Sequence, residues 1–161
     1  MAKRNESLDV VPAAGFILFR RNDDSNLIEF LLLQSKSGKY GTPKGHVEKF
    51  ESAFDAAIRE TKEETGLSLE RDFKLIPDFN CHVKYEVNNI RDGHKVKDIK
   101  LWLAEITNKS LQITVLPEHR GYRWATFDDV ILLLGKRPGF ESYVSSFQFC
   151  IEKINAVIAK S

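Results

Sequence analysis

Cysteine is scarce in this sequence. Cys81 and Cys150 are its only two, far apart and in no metal-ligand spacing, so neither a disulfide framework nor a cysteine metal site is indicated. Two free thiols point to a reducing compartment, which makes the cytoplasm the expected location and leaves the nucleus compatible. An apolar secretory core is missing from the opening Met1-Ala2-Lys3-Arg4-Asn5-Glu6-Ser7, and no later stretch has the length of a membrane span. Net charge is close to absent as well. At +1 it gives no reason to expect long nucleic acid as a partner, although a neutral total is compatible with a basic cleft facing acidic carboxylates. Repeats, low-complexity tracts and interdomain linkers are also lacking. With 42% apolar and 29% charged residues, the chain has the composition of an ordinary soluble enzyme. Residues 1–161 are expected to form one domain, acting as a monomer.

What is present begins with two β-prone runs, Val10 to Arg20 and Leu27 to Leu33, separated by polar residues and read as a hairpin. Gln34 to His46 carries Gly38, Gly41, Pro43 and Gly45 among lysines, a composition that predicts a basic loop. The period then changes. Phe54, Ala57, Ile58, Thr61 and Thr65 recur at helical spacing, with Ser52 and Asp55 in capping positions and Gly66 as the stop. Strands are expected over Phe73 to Val87, Val96 to Ile106 and Leu111 to Val115, the first two joined by a turn from Asn88 to His94. Helices return at Phe127 to Leu134, closed by Gly135 and Pro138, and at Phe140 to Ala159. The fold class is α/β, a mixed sheet covered on both faces.

Glu60, Glu63 and Glu64 stand at i, i+3 and i+4, on one face of the first helix and away from its apolar stripe. Like charges at these spacings cost roughly 0.2–0.5 kcal/mol a pair, and two of the three lie near the negative end of the helix dipole. A solvated charged face is the ordinary explanation for such a cluster. A hard divalent cation is the other, because it takes carboxylate oxygens and keeps sites for water and phosphate.

The surrounding residues favour the second explanation. Gly45, Glu51, Arg59-Glu60, Glu63-Glu64 and Gly66 fall in the order G-x5-E-x7-R-E-U-x-E-E-x-G-U, with Thr61 where the pattern has an apolar residue. Chance agreement of the fixed letters is on the order of one in 10⁸ per starting position. This resembles the box of the Nudix hydrolases. The resemblance implies a Nudix α/β/α sandwich, Mg²⁺ as cofactor with Mn²⁺ as a substitute, Glu60, Glu63 and Glu64 as metal ligands, and Arg59 orienting them. Glu51 is open to a structural role.

Further segments, Ile28 to Gln34, Thr42 to Glu48, Leu101 to Glu105 and Glu118 to Trp124, are similar to one branch of that family, the asymmetrical diadenosine tetraphosphate hydrolases of the animal type. Lys49-Phe50 departs from it, standing where that branch has Pro-Gly. The branch implies hydrolysis of a dinucleoside polyphosphate to ATP and AMP. It also implies that Glu48 and Glu118 approach the metals, Glu118 being open to the alternative role of general base. Tyr85 and Tyr122 resemble positions whose rings hold adenine between them, where the plain reading of a strand tyrosine is half-buried core. Lys44 and His46 beside the box glycine suit phosphate contact, and Lys97 is a further phosphate candidate. Lys36 and Lys39 have no stronger reading than solvated charge. Trp102, Trp124 and the aromatics Phe140, Tyr143, Phe147 and Phe149 are expected to pack in the interior.

Removal of pyrophosphate from an RNA 5′ end and cleavage of an inositol pyrophosphate are the neighbouring activities. A nucleotide sensor without catalysis is the alternative from another class. Gaps in the acidic cluster would favour the sensor, and the cluster has none.

Overall fold

Asp9–Arg21 (β1) and Ile28–Ser35 (β2) form the expected antiparallel hairpin, with Phe19 opposite Phe30 and Arg21 opposite Ile28. Its turn is closed by the Asn22 side chain, which accepts bonds from the Asp24 and Ser25 N–H groups. The computed structural model describes residues 8–90, 93–135 and 140–161.

The segment expected as a basic loop contains two short strands, Tyr40–Gly41 (β3) and Lys44–His46 (β4). Composition argues against strands here, but the edge of β1 that β2 leaves open pairs with β4 through Ala13 to Gly15. Gly15 is what permits it, since a Cβ there would lie 2.1 Å from the Pro43 carbonyl oxygen.

Ala53–Thr65 (α1) starts and stops where its signals lie. The Ser52 hydroxyl accepts from the Asp55 N–H at 3.1 Å, and Gly66 at φ 77° ends the helix in the left-handed region. Ala56, Ala57, Thr61 and Thr65 form its buried stripe. Thr61 packs in the apolar position of the box, and its buried hydroxyl oxygen has no partner, a desolvation cost on the order of 1–3 kcal/mol.

Phe73–Asn89 (β5) and Gly93–Ile106 (β6) are antiparallel, and β6 runs parallel to β1 from Asp9 opposite Lys95 to Phe19 opposite Glu105. The turn expected from Asn88 to His94 is shorter than that: Asn89 still pairs with Gly93, while Arg91 and Asp92 lie outside the described residues. His119–Ala125 (β7) pairs with the far edge of β2, because Phe30 meets Phe19 on one side and Ala125 on the other. The strand expected at Leu111 to Val115 does not form. That segment is held instead by the Thr114 N–H donating to the Thr65 carbonyl at the end of α1, which takes it off the sheet.

Phe127–Leu134 (α2) opens on a capping box of Thr126 and Asp129, and Glu141–Ala159 (α3) follows Phe140; Pro138 lies outside the described residues. Alternation along β1 divides the interior. Ile17 and Phe19 face a core closed by Val130, Leu134, Tyr143, Phe147 and Ile154, while Ala14, Phe16 and Leu18 face Ala56 and Ala57 of α1. The result is the expected α/β/α sandwich. Trp102 and Trp124 pack at the margin of the α1 core. Phe140, Tyr143 and Phe147 are buried, whereas Phe149 projects to solvent from α3, because its position on the helix turns away from the sheet. Among the described residues no helix is long and apolar enough to cross a membrane.

Candidate active site

Pairing of β4 with β1 sets three consecutive residues against the carboxylate face of α1. Gly45 carries no side chain at the point where Glu60 arrives: a Cβ there would lie 2.1 Å from the Glu60 carboxyl carbon. On the other side of Glu60, Arg59 acts as a hub. Its Nε and Nη2 donate to the two Glu51 oxygens at 2.8 and 2.9 Å, Nη1 donates to Glu60 at 2.9 Å and Glu63 at 3.3 Å, and Nη2 also reaches the His46 carbonyl at 3.1 Å. Glu48 comes within 3.8 Å of the same guanidinium. The hydrogen bond from Arg59, then that from the Glu48 backbone, lower the Glu51 carboxyl to about 2. Glu51 is thereby committed to Arg59, which supports its structural role.

Glu64 is in a different state. Burial pushes its carboxyl up to about 8; Lys44 opposes the shift, by its charge and a backbone hydrogen bond, while Glu60 and Glu118 add to it. It lines a cavity of about 230 Å³ with Lys39, Tyr40, Thr42, Lys44 and His119. His119 Nε2 lies 3.8 Å from a Glu64 oxygen, and His119 Nδ1 is buried without a partner. Burial lowers the His119 pKa. Lys39, read from sequence as solvated charge, lines this cavity, and Tyr40 and His119 were not singled out from sequence. For His119 the available signal was its place beside Glu118, but the register that seats it opposite Ser35 is long-range.

His46 and Lys97 meet directly, with the Lys97 ammonium donating to His46 Nε2 at 2.9 Å. Tyr85 is opposite Lys97 across the β5–β6 ladder, so both side chains leave the same face. Its ring packs 4.8 Å from Phe140, tilted by 34°.

Tyr122 is elsewhere. It lies on β7, which pairs with β2, whereas Tyr85 lies on β5, which pairs with β6. Tyr122 lines a separate, larger hollow of about 570 Å³ with Arg20, Glu105 and Trp124, to which α1 contributes nothing. Tyr85 and Tyr122 thus stand on different edge strands, Tyr85 against Phe140 and Tyr122 in the larger hollow. Carboxylate chemistry, rather than cavity size, makes the smaller cavity the candidate site.

Among the described residues, no three His, Cys, Asp or Glu side chains are close enough together to grip a metal ion as they stand. Arg59 holds Glu60 and Glu63 while Glu64 turns into the cavity, which spreads the set. In kind, the residues fit a hard divalent cation. All are carboxylates, Glu60 is accommodated by the space at Gly45, and Glu64 is a buried acid whose burial the charge of Lys44 does not offset.

A sandwich with a box-bearing helix across a mixed sheet defines a class of fold, and the NUDIX domain profile matches residues 10–147. The chain belongs to the NUDIX family. It is 35% identical over 127 residues to the asymmetrical bis(5′-nucleosyl)-tetraphosphatase of Mus musculus, covering 75% of this chain and 82% of that one. The Caenorhabditis elegans enzyme of the same name is 36% identical over 126 residues, covering 76% and 83%. Among solved structures, a C. elegans Ap4A hydrolase in a binary complex superposes with a TM-score of 0.74 at 31% identity, over 88% of this chain and 98% of that one.

Proposed function

We propose that this protein hydrolyses dinucleoside polyphosphates and cuts diadenosine tetraphosphate off-centre, to ATP and AMP. The observation that carries this reading is the meeting of an acidic helix face with Lys44 and the His46–Lys97 pair, beside an aromatic pair on the same sheet face. Its relatives' names agree with it. Glu60, Glu63 and Glu64, with Glu48 and Glu118, would hold Mg²⁺ or Mn²⁺, which when bound neutralises polyphosphate charge and acidifies the attacking water. Lys44, His46 and Lys97 hold the phosphate chain. Arg59 acts by positioning Glu60 and Glu63. Glu118, next in sequence to His119 of the cavity wall, has general base for the attacking water as its alternative role. The free thiols Cys81 and Cys150 support a reducing compartment such as the cytoplasm.

Product analysis in heavy-oxygen water tests the reading. ATP and AMP are expected, with the label in AMP because water attacks the phosphorus next to that adenosine. Two molecules of ADP would sink the off-centre cut, and label in ATP would reverse the attacked phosphorus.

Tyr85 with Phe140 is assigned the adenine. Stacking is worth roughly 1–3 kcal/mol per base in single-strand binders, so Tyr85→Ala is expected to raise KM about tenfold, while Tyr85→Phe stays within twofold. Steady-state kinetics on both variants check this. A parental KM in a well-folded Tyr85→Ala protein would return the ring to the core.

A further inference from the structure

The loop between β4 and α1 carries a residue that the reaction above does not use. Phe50 has φ 65° and is 98% exposed, so its backbone and its ring both occupy states that a bulky apolar residue avoids. Among the described residues, the other non-glycines at positive φ are Asn26, Glu70 and Asp78, all polar. Nor is the loop loose. The Glu51 N–H donates to the Glu48 carbonyl at 3.1 Å, and the Glu48 N–H returns a bond of 3.1 Å to the Glu51 carboxylate, which also holds Arg59. Among the described residues, packing offers the ring nothing in exchange beyond the Lys49 ammonium, 5.1 Å from its centroid. A strained conformation that its surroundings impose without local benefit is characteristic of a functional contact.

The position of the loop indicates what that contact is. Glu48 and Glu51, two residues before Phe50 and one after it, share the guanidinium that holds Glu60 and Glu63. Phe50 therefore stands at the rim of the carboxylate face, within about 8 Å of chain from Glu48. A dinucleoside polyphosphate has a flat base at each end. Tyr85 against Phe140 serves one of them, and the other leaves the carboxylate face at its rim, where an exposed phenyl ring offers a stacking surface and Lys49 a cation for the adjoining phosphate.

We propose that Phe50 is a specificity-determining residue that stacks on the far nucleobase of a dinucleoside polyphosphate substrate. This role rests on the dinucleoside reading given above.

Kinetics with diadenosine tetraphosphate and with adenosine 5′-tetraphosphate, which has the same phosphate chain and a single base, test it. Phe50→Gly and Phe50→Asn both suit positive φ, so neither disturbs the path of the loop. Each is expected to raise KM for the dinucleotide about tenfold with kcat within twofold. For the single-base compound, KM, or its inhibition constant where it is not cut, is expected to stay within twofold. Phe50→Trp is expected to keep the parental KM for both. Equal shifts on the two compounds, or no shift on either, overturn the role of Phe50 alone. A parent protein that leaves diadenosine tetraphosphate uncut overturns the dinucleoside reading, and the role of Phe50 with it.

Discussion

Replacing Glu64 by Gln is expected to lower turnover by about 10³-fold while the protein folds as before. Glu64 is the most confined of the three helix carboxylates, with its side chain 12% exposed against 17% for Glu60 and 52% for Glu63. Glutamine has the same shape and its amide oxygen still accepts a hydrogen bond, so the cavity wall of Lys44, Tyr40 and His119 keeps its form. What disappears is the negative charge that this buried acid would present to a bound cation. Charge stabilisation by a bound cation contributes several kcal/mol to such a transition state, and each 1.36 kcal/mol is tenfold in rate. Stability moves in the other direction, because a buried amide costs less to desolvate than an un-neutralised carboxylate. A melting temperature no lower than the parent's is therefore expected alongside the loss of rate. Thermal denaturation followed by circular dichroism, with kcat at saturating Mg²⁺, measures both. Turnover within fivefold of the parent would remove Glu64 from the reactive set.

The features of the fold that were legible in the sequence are those fixed by neighbours in the chain. The bounds of α1 follow from Ser52 and Gly66, and the common face of Glu60, Glu63 and Glu64 follows from 3.6-residue geometry alone. The hairpin of β1 and β2 is local in the same way. Features that depend on distant pairing were not legible. Lys44–His46 forms a strand because β1 has an open edge, against the preference of Pro43 and Gly45. That Tyr85 and Tyr122 stand on different edge strands follows from the parallel pairing of β1 with β6 and the antiparallel pairing of β7 with β2, which a linear reading does not show. His119 reaches Glu64 for the same kind of reason, through register on β2. For Phe50, the absence of the usual Pro-Gly was visible in the sequence, but the positive φ and full exposure that give it meaning were not.

Gly45→Ala should silence the enzyme while leaving its fold almost untouched. Gly45 does not have positive φ, so alanine suits its backbone, and its pairing with Ala14 holds that backbone in place. The added methyl would lie 2.1 Å from the Glu60 carboxyl carbon and 2.3 Å from each carboxyl oxygen, far inside a contact distance of about 3.5 Å. Something must move. The strand is fixed on β1, whereas the Glu60 carboxylate is the far end of a flexible side chain, so the carboxylate shifts by more than about 1 Å and leaves its 2.9 Å bond to Arg59. Misplacement of a reacting group by 1 Å costs about 10²-fold in rate. Loss of 10²-fold or more in kcat/KM is expected, with a melting temperature within a few degrees of the parent's. Gly121→Ala on β7, where an added Cβ meets nothing within 4 Å, is the control for the glycine-to-alanine change itself. If Gly45→Ala turns over as the parent does, the closeness of Gly45 to Glu60 has no bearing on the reaction and Glu60 is not part of its machinery. If Gly45→Ala unfolds instead, the methyl has displaced backbone rather than the carboxylate, and the glycine is structural.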